Sequence, residues 1–146
     1  MNKYIFPALL IIVLAVIAYL FYPNPEEKKI RAIITDCEAS INNKDIEPAF
    51  KYLDKGFTVP EYNLNYEDVI SSKFILKYIA MIGNVDVRKI DITIEDDFAR
   101  AYMIARVTNS NISYEMPFEI NAEFKKTNET WTIKIMHIKP YELQRQ

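Results

Sequence analysis

The sequence predicts an α+β domain behind a single N-terminal transmembrane helix, with three helices packed on an antiparallel sheet of about four strands. Three observations predict it. Residues 4–22 are an apolar run without a charge, residues 25–82 place apolar side chains at helical spacing, and residues 90–138 alternate with period two.

The apolar run, YIFPALLIIVLAVIAYLFY, has nineteen residues. As a helix it measures roughly 28 Å, close to the hydrocarbon thickness of a bilayer. Tyr4, Tyr19 and Tyr22 stand at its ends, where amphipathic rings favour the interface, and Pro7 falls in the first turn, where a missing amide costs least. The helix is expected to stop at Pro23. The alternative is a cleaved secretory signal ending near Val16-Ile17-Ala18, but Tyr19 to Tyr22 prolong the apolar run beyond that point. Lys3 opposes Lys28, Lys29 and Arg31 across the run, so charge alone does not orient it. The short hydrophilic head resembles an uncleaved export signal, which would put the domain on the extracytoplasmic side. These features divide the chain into a signal-anchor at residues 1–23, a domain at 24–143 and a tail at 144–146.

Pro25-Glu26-Glu27 opens the first helix of the domain with a proline and two acids in the first turn. Ile30, Ile33, Ile34, Cys37 and Ile41 form its apolar stripe, and Asn42-Asn43 ends it. Asp45 is expected to cap a second short helix bearing Ile46, Ala49, Phe50 and Leu53, stopped by Asp54-Lys55-Gly56. Phe57–Leu64 reads as a loop or short strand. Asn65 is expected to cap a third helix over Tyr66–Ile82, with Val69, Ile70, Phe74, Tyr78 and Ile82 on its apolar face and Gly83 closing it.

Four strands follow, at Ile90–Ile94, Phe98–Val107, Ile112–Phe124 and Trp131–Ile138, as an antiparallel meander. The third alternates most clearly: Ile112, Tyr114, Met116, Phe118, Ile120, Ala122 and Phe124 against Ser113, Glu115, Pro117, Glu119, Asn121, Glu123 and Lys125. Turns fall at Glu95-Asp96-Asp97, Asn109-Ser110-Asn111 and Thr127-Asn128-Glu129.

Composition narrows the function classes. One cysteine and one histidine assemble no Cys/His zinc site within one chain and no internal disulfide. Two glycines provide neither a P-loop nor a dinucleotide fingerprint, so no nucleotide cofactor, and no other cofactor or metal, is expected. Without Lys3 the chain carries 17 basic against 20 acidic residues and no basic cluster beyond Lys28, Lys29 and Arg31, which argues against nucleic acid.

Three helices before an antiparallel sheet, joined by Ile41-Asn42-Asn43-Lys44-Asp45-Ile46, resemble the nuclear transport factor 2-like superfamily, also called SnoaL-like or ketosteroid isomerase-like. The hexapeptide looks like its "hydrophobic, N, x, x, D, hydrophobic" joint. Leu53-Asp54-Lys55-Gly56-Phe57 is similar to its segment after helix two, and Phe124-Lys125-Lys126 with Trp131-Thr132-Ile133 to its last strand pair. The resemblance covers about residues 26–140. It implies a cone-shaped, cystatin-like fold with a curved sheet around an apolar pocket, used by isomerases, dehydratases, hydrolases and non-catalytic binding domains. In the ketosteroid isomerase branch, a tyrosine on the first helix and an acid after the second do the chemistry; here those regions offer Cys37 and Glu61.

On this reading the pocket candidates are Cys37, Tyr52, Tyr62, Tyr78, Tyr114, Phe118 and His137. His137 follows Trp131, Ile133 and Ile135 at period two, which predicts the core face and a place at the pocket rim. Against a catalytic role stands a histidine bonded at a strand end, and against a Cys37 nucleophile stands a small buried hydrophobe. Asp91, Arg100, Arg106, Glu115, Glu119 and Glu123 alternate along strands, where charges pair across a solvated face. The leading expectation is a membrane-anchored, non-catalytic binding or assembly module, touching lipid through residues 4–22 and taking a small apolar ligand or an envelope protein. The alternatives are a small-molecule isomerase or dehydratase using His137, Glu61 or Asp91, and a homodimer through the open sheet face.

Overall fold

A computed structural model describes every residue except 1–2, 22–23, 72, 74–76, 112–113 and 143–146. Expectations resting on Tyr22, Pro23, Phe74, Ile112, Ser113 and the 144–146 tail lie outside the described residues.

Helix α1 (Ile5–Phe21) is apolar throughout and long enough to cross a membrane, by length and composition. Its side chains from Ile5 to Leu20 are all exposed. Helix α2 (Pro25–Asn42) starts where the prolines and acids predict: the Asn24 side chain caps the Glu26 amide at 3.0 Å. It buries Ile30, Ile33 and Ile34.

After α2 the chain departs from the expected helices. Residues Glu47–Tyr52 form a 3₁₀ turn without a side-chain cap, so Asp45 caps nothing there. Asn65 does cap α3 (Tyr66–Val69), in a reciprocal box with Asp68 at 2.9 and 3.0 Å. Helix α3 is short, Lys73 and Lys77 are helical again, and a 3₁₀ turn at Ile79–Met81 leads directly into a strand at Ile82.

The sheet has six strands rather than four: β1 (Leu53–Val59), β2 (Leu64–Asn65), β3 (Ile82–Glu95), β4 (Phe98–Asn109), β5 (Glu115–Thr127) and β6 (Thr130–Pro140). Their order is β2-β1-β6-β5-β4-β3, with β3 to β6 a meander and β1 lying parallel to β6. The two extra strands are short, and β1 is interrupted at Asp54-Lys55-Gly56, where the Asp54 carboxylate accepts from the Gly56 amide at 2.8 Å. A polar break in an apolar segment hides the strand's period.

Gly83 lies within β3 rather than capping a helix. A β-carbon there would meet the Thr108 carbonyl oxygen at 3.0 Å and the Asn109–Ser110 backbone at 3.3 Å. Backbone cannot step aside as a flexible side chain does, so Gly83→Ala is expected to destabilise the domain by about 1–3 kcal/mol. Urea unfolding followed by fluorescence of Trp131, the single tryptophan, measures it.

One face of the sheet packs on α2. Ile30, Ile33 and Ile34 meet Phe57 and Val59 of β1, Ala99, Ala101 and Met103 of β4, Ala122 and Phe124 of β5, and Trp131 and Ile133 of β6. The three alanines keep the middle of the sheet low, which leaves room for the isoleucines of α2 and for Phe124. Along β5 the alternation is as predicted, but burial fades toward its start, where Tyr114 and Met116 are exposed.

Candidate functional site

Two β-bulges decide which side chains share a face. In β3 the register slips between Arg88 and Asp91, with Lys89 at φ 51°, so Val85 and Val87 line up with Ile90, Ile92 and Ile94 on the core side. In β6 the slip lies between Ile133 and Ile135: Ile133 pairs with Phe124, but Ile135 pairs with Glu123. Met136 and Ile138 then face the core opposite Ala122 and Ile120, and His137 sits opposite Asn121. One inserted residue reverses every later side chain. His137 is therefore on the outer face of the sheet, not on the core face that simple alternation predicts.

On that face His137 meets Glu61. The 3₁₀ turn Pro60–Tyr62, ended by Asn63 in the left-handed region at φ 52°, carries Glu61 over β6. Its carboxylate lies 2.7 Å from His137 Nδ1. Burial pushes the Glu61 carboxyl up, but the amides of Glu61 itself and of Ile138, together with His137, outweigh that and hold it below the usual range.

The pair opens into a groove of about 380 Å³ lined by Glu61, Arg100, Asn121, Glu123, His137 and Lys139. Arg100 stands 3.9 Å from Glu123 and Lys139 3.8 Å from Glu119, too long for hydrogen bonds, and both cations are largely exposed. Their donors are turned to solvent. Arg106 and Glu115 form a similar pair at 3.5 Å, so the polar face is laced by cross-strand charges as its alternation predicts. Asp91 is exposed on the same face, outside the groove lining.

A smaller cavity of about 250 Å³ lies between α2 and the Glu47–Tyr52 turn, lined by Asp36, Ser40, Asn43, Asp45, Lys51 and Tyr52 among others. The Tyr52 hydroxyl donates to the Asp36 carboxylate, and that bond, with burial, raises the phenol to about 12.

The remaining candidates do not converge on either cavity. Cys37 packs half-buried against the core, where burial pushes its thiol up to about 12 and leaves almost no thiolate at neutral pH. Phe118 is half-buried toward the core face, and Tyr62, Tyr78 and Tyr114 are exposed. Asn121 and Lys139 join the groove although neither is a candidate from sequence; the signal for them is the polar alternation of β5 and the Ile135-Met136 doublet that marks the bulge. Among the described residues, no three His, Cys, Asp or Glu side chains converge to hold a metal ion.

This architecture is a nuclear transport factor 2-like, cystatin-like fold, and solved structures of that class superpose on it. The chain matches no protein-family model and no curated protein. It is similar to Bd1075 of Bdellovibrio bacteriovorus, with a TM-score of 0.63 and 19% identity over 78% of this chain and 41% of that one. It therefore spans less than half of Bd1075. A protein of unknown function with a cystatin-like fold from Nostoc punctiforme gives a TM-score of 0.65 at 12% identity, covering 79% of this chain and 90% of the other. A nuclear transport factor 2-like protein of unknown function from Pseudomonas putida gives 0.66 at 13% identity, covering 83% and 91%. At such identities the likeness carries the fold, and function rests on the site.

Proposed function

We propose that the chain is a membrane-tethered, non-catalytic binding module that presents the outer sheet face to its target. The observation that carries this reading is the Glu61–His137 pair at 2.7 Å within an open, charge-lined groove. The Glu61 carboxylate lies 2.7 Å from His137 and is held below its usual range, which suits a structural strut better than a base waiting for a proton. The groove is open on one side, whereas catalysis gains most from a closed, preorganised site. Exposed donors on Arg100 and Lys139 suit a polar or acidic surface, so an envelope partner protein is favoured over a small apolar ligand. Helix α1 supplies the tether, with the domain on the extracytoplasmic side.

Native mass spectrometry of the full chain, released from membranes in mild detergent, is the test. Added mass that disappears in the double variant Arg100→Glu/Lys139→Glu would support the reading, and a mass twice that of the chain would identify the partner as a second copy. Bare chain in every preparation, or added mass indifferent to the two charge reversals, would count against it. The same dyad supports a second reading, an isomerase or dehydratase with His137 as base, for which activity abolished by His137→Ala is the required result.

A further inference from the structure

Helix α2 follows α1 directly in the chain, so its first turn marks the end of the domain nearest α1. It runs antiparallel to the edge strand β3 and is bonded to it along its length. Arg31 donates to the Ile90 carbonyl at 3.2 Å, the Val87 amide donates to Glu38 at 3.3 Å, and Asn42 exchanges bonds of 2.9 and 2.7 Å with Val85. The end of β3 thus lies beside the start of α2.

The two elements rise at different rates. From the level of Arg31, Pro25 lies six helical residues back, about 9 Å. From Ile90, which Arg31 contacts, Glu95 lies five strand residues on, about 16 Å. The β3–β4 turn therefore reaches up to about 7 Å past the first residue of α2, less whatever the strand's tilt removes. Chain connectivity sets the other limit: Pro25 follows Phe21 by four residues, a span of at most about 14 Å.

Side-chain bonds hold this end together. The Trp131 indole donates to Glu26 at 2.6 Å, Lys126 lies 3.3 Å from the same carboxylate, and the Lys126 amide donates to the Asp97 carbonyl at 2.8 Å. The indole first, then Lys29 and Lys126, hold the Glu26 carboxyl below the usual range despite some desolvation. The start of α2 and both adjacent turns form one fixed surface.

That surface carries an aromatic ring with no place in the core. Phe98, the first residue of β4, is 57% exposed beside Glu95 and Lys125, its partners in register. Glu26, Glu27, Glu95, Asp96, Asp97 and Glu129 outnumber Lys28, Lys29, Lys125 and Lys126 there, so charge does not draw this end to anionic headgroups. An exposed apolar ring within that reach of a bilayer is favoured at the boundary between headgroups and acyl chains.

We propose that Phe98 docks in the headgroup region of the bilayer that holds α1, making the β3–β4 turn a second membrane contact that fixes the domain's orientation. This rests on α1 spanning the membrane. The opposite rim, with Met81, Tyr114 and Met116, then faces away from lipid, at the far end of a helix about 27 Å long.

The test uses the full chain in phosphatidylcholine vesicles, with Cys37→Ser to leave one reactive thiol and an environment-sensitive fluorophore on Asp97→Cys. Shallow nitroxide lipids are expected to quench this probe about two-fold, while a control probe on Met116→Cys stays bright. Introducing Phe98→Asp is expected to return the Asp97→Cys probe to the control level. Quenching that survives Phe98→Asp, or equal signals at the two positions, would overturn the docking while the chain still floats with vesicles. Failure to float would overturn the anchor, and the docking with it.

Discussion

Phe124→Ala is expected to lower the stability of the domain by about 3–5 kcal/mol, read as a fall in the urea midpoint of Trp131 fluorescence. Phe124 is 1% exposed and among the largest fully buried side chains. It sits at the centre of the sheet, paired with Ala99 on one side and Ile133 on the other. Its small neighbours Ala99, Ala101 and Ala122 have no side chain with which to fill the space left behind. The cavity contribution therefore adds to the lost transfer energy. Against a total of about 5–15 kcal/mol, such a loss removes a large part of the folding energy. Phe118→Ala is the comparison, because Phe118 points to the same side of β5 but is only half-buried. A smaller loss there would show that the effect belongs to packing in the middle of the sheet and not to aromatic content.

The alternation that identifies Phe124 as core also shows where reading a sequence by period succeeds. In β5 no bulge intervenes, and Ala122 and Phe124 lie on the predicted face with Ile120 packed beside them. Where one residue is inserted, the rule carries its error to the end of the strand. His137 is the clear case: counted by twos from Trp131 it joins the core, but the bulge after Ile133 sends it to the outer face. The Ile135-Met136 doublet and the three-residue step from Val87 to Ile90 both mark such insertions, and both are visible in the sequence.

Missing strands have a different cause. β1 is a parallel partner of β6, across about eighty residues of chain, and β2 has two residues; neither leaves a local period. The short helices fail for a related reason. Pro48 and the brevity of Glu47–Tyr52 allow a 3₁₀ turn where an apolar spacing of three and four suggests a helix. The sequence marks Glu61 and His137 each as a candidate catalytic group but holds no sign that they touch, because the contact depends on the turn at Pro60–Tyr62 and on the bulge together.

Asn42→Ala is the second large expected effect, about 2–4 kcal/mol in the same unfolding measurement, although the residue is neither apolar nor fully buried. Its amide donates to the Val85 carbonyl at 2.9 Å and its carbonyl accepts from the Val85 amide at 2.7 Å. Those are the two bonds a neighbouring strand would make, so the last residue of α2 substitutes for a strand at an open sheet edge. Lys44 continues the cover by donating to the Ile82 and Gly83 carbonyls, and Glu38 and Arg31 extend it toward the other end of β3. Val85 is itself buried, so its backbone has little access to replacement water once the amide is gone. Asn42→Asp separates the two bonds: it keeps the acceptor for the Val85 amide but sets a carboxylate oxygen against the Val85 carbonyl. It should therefore destabilise the domain at neutral pH and recover part of the loss as acid protonates the side chain and restores a donor. If Asn42→Ala instead unfolds like the unsubstituted chain, the helix does not protect this edge, and the asparagine in the Ile41–Ile46 joint has some other reason to be there.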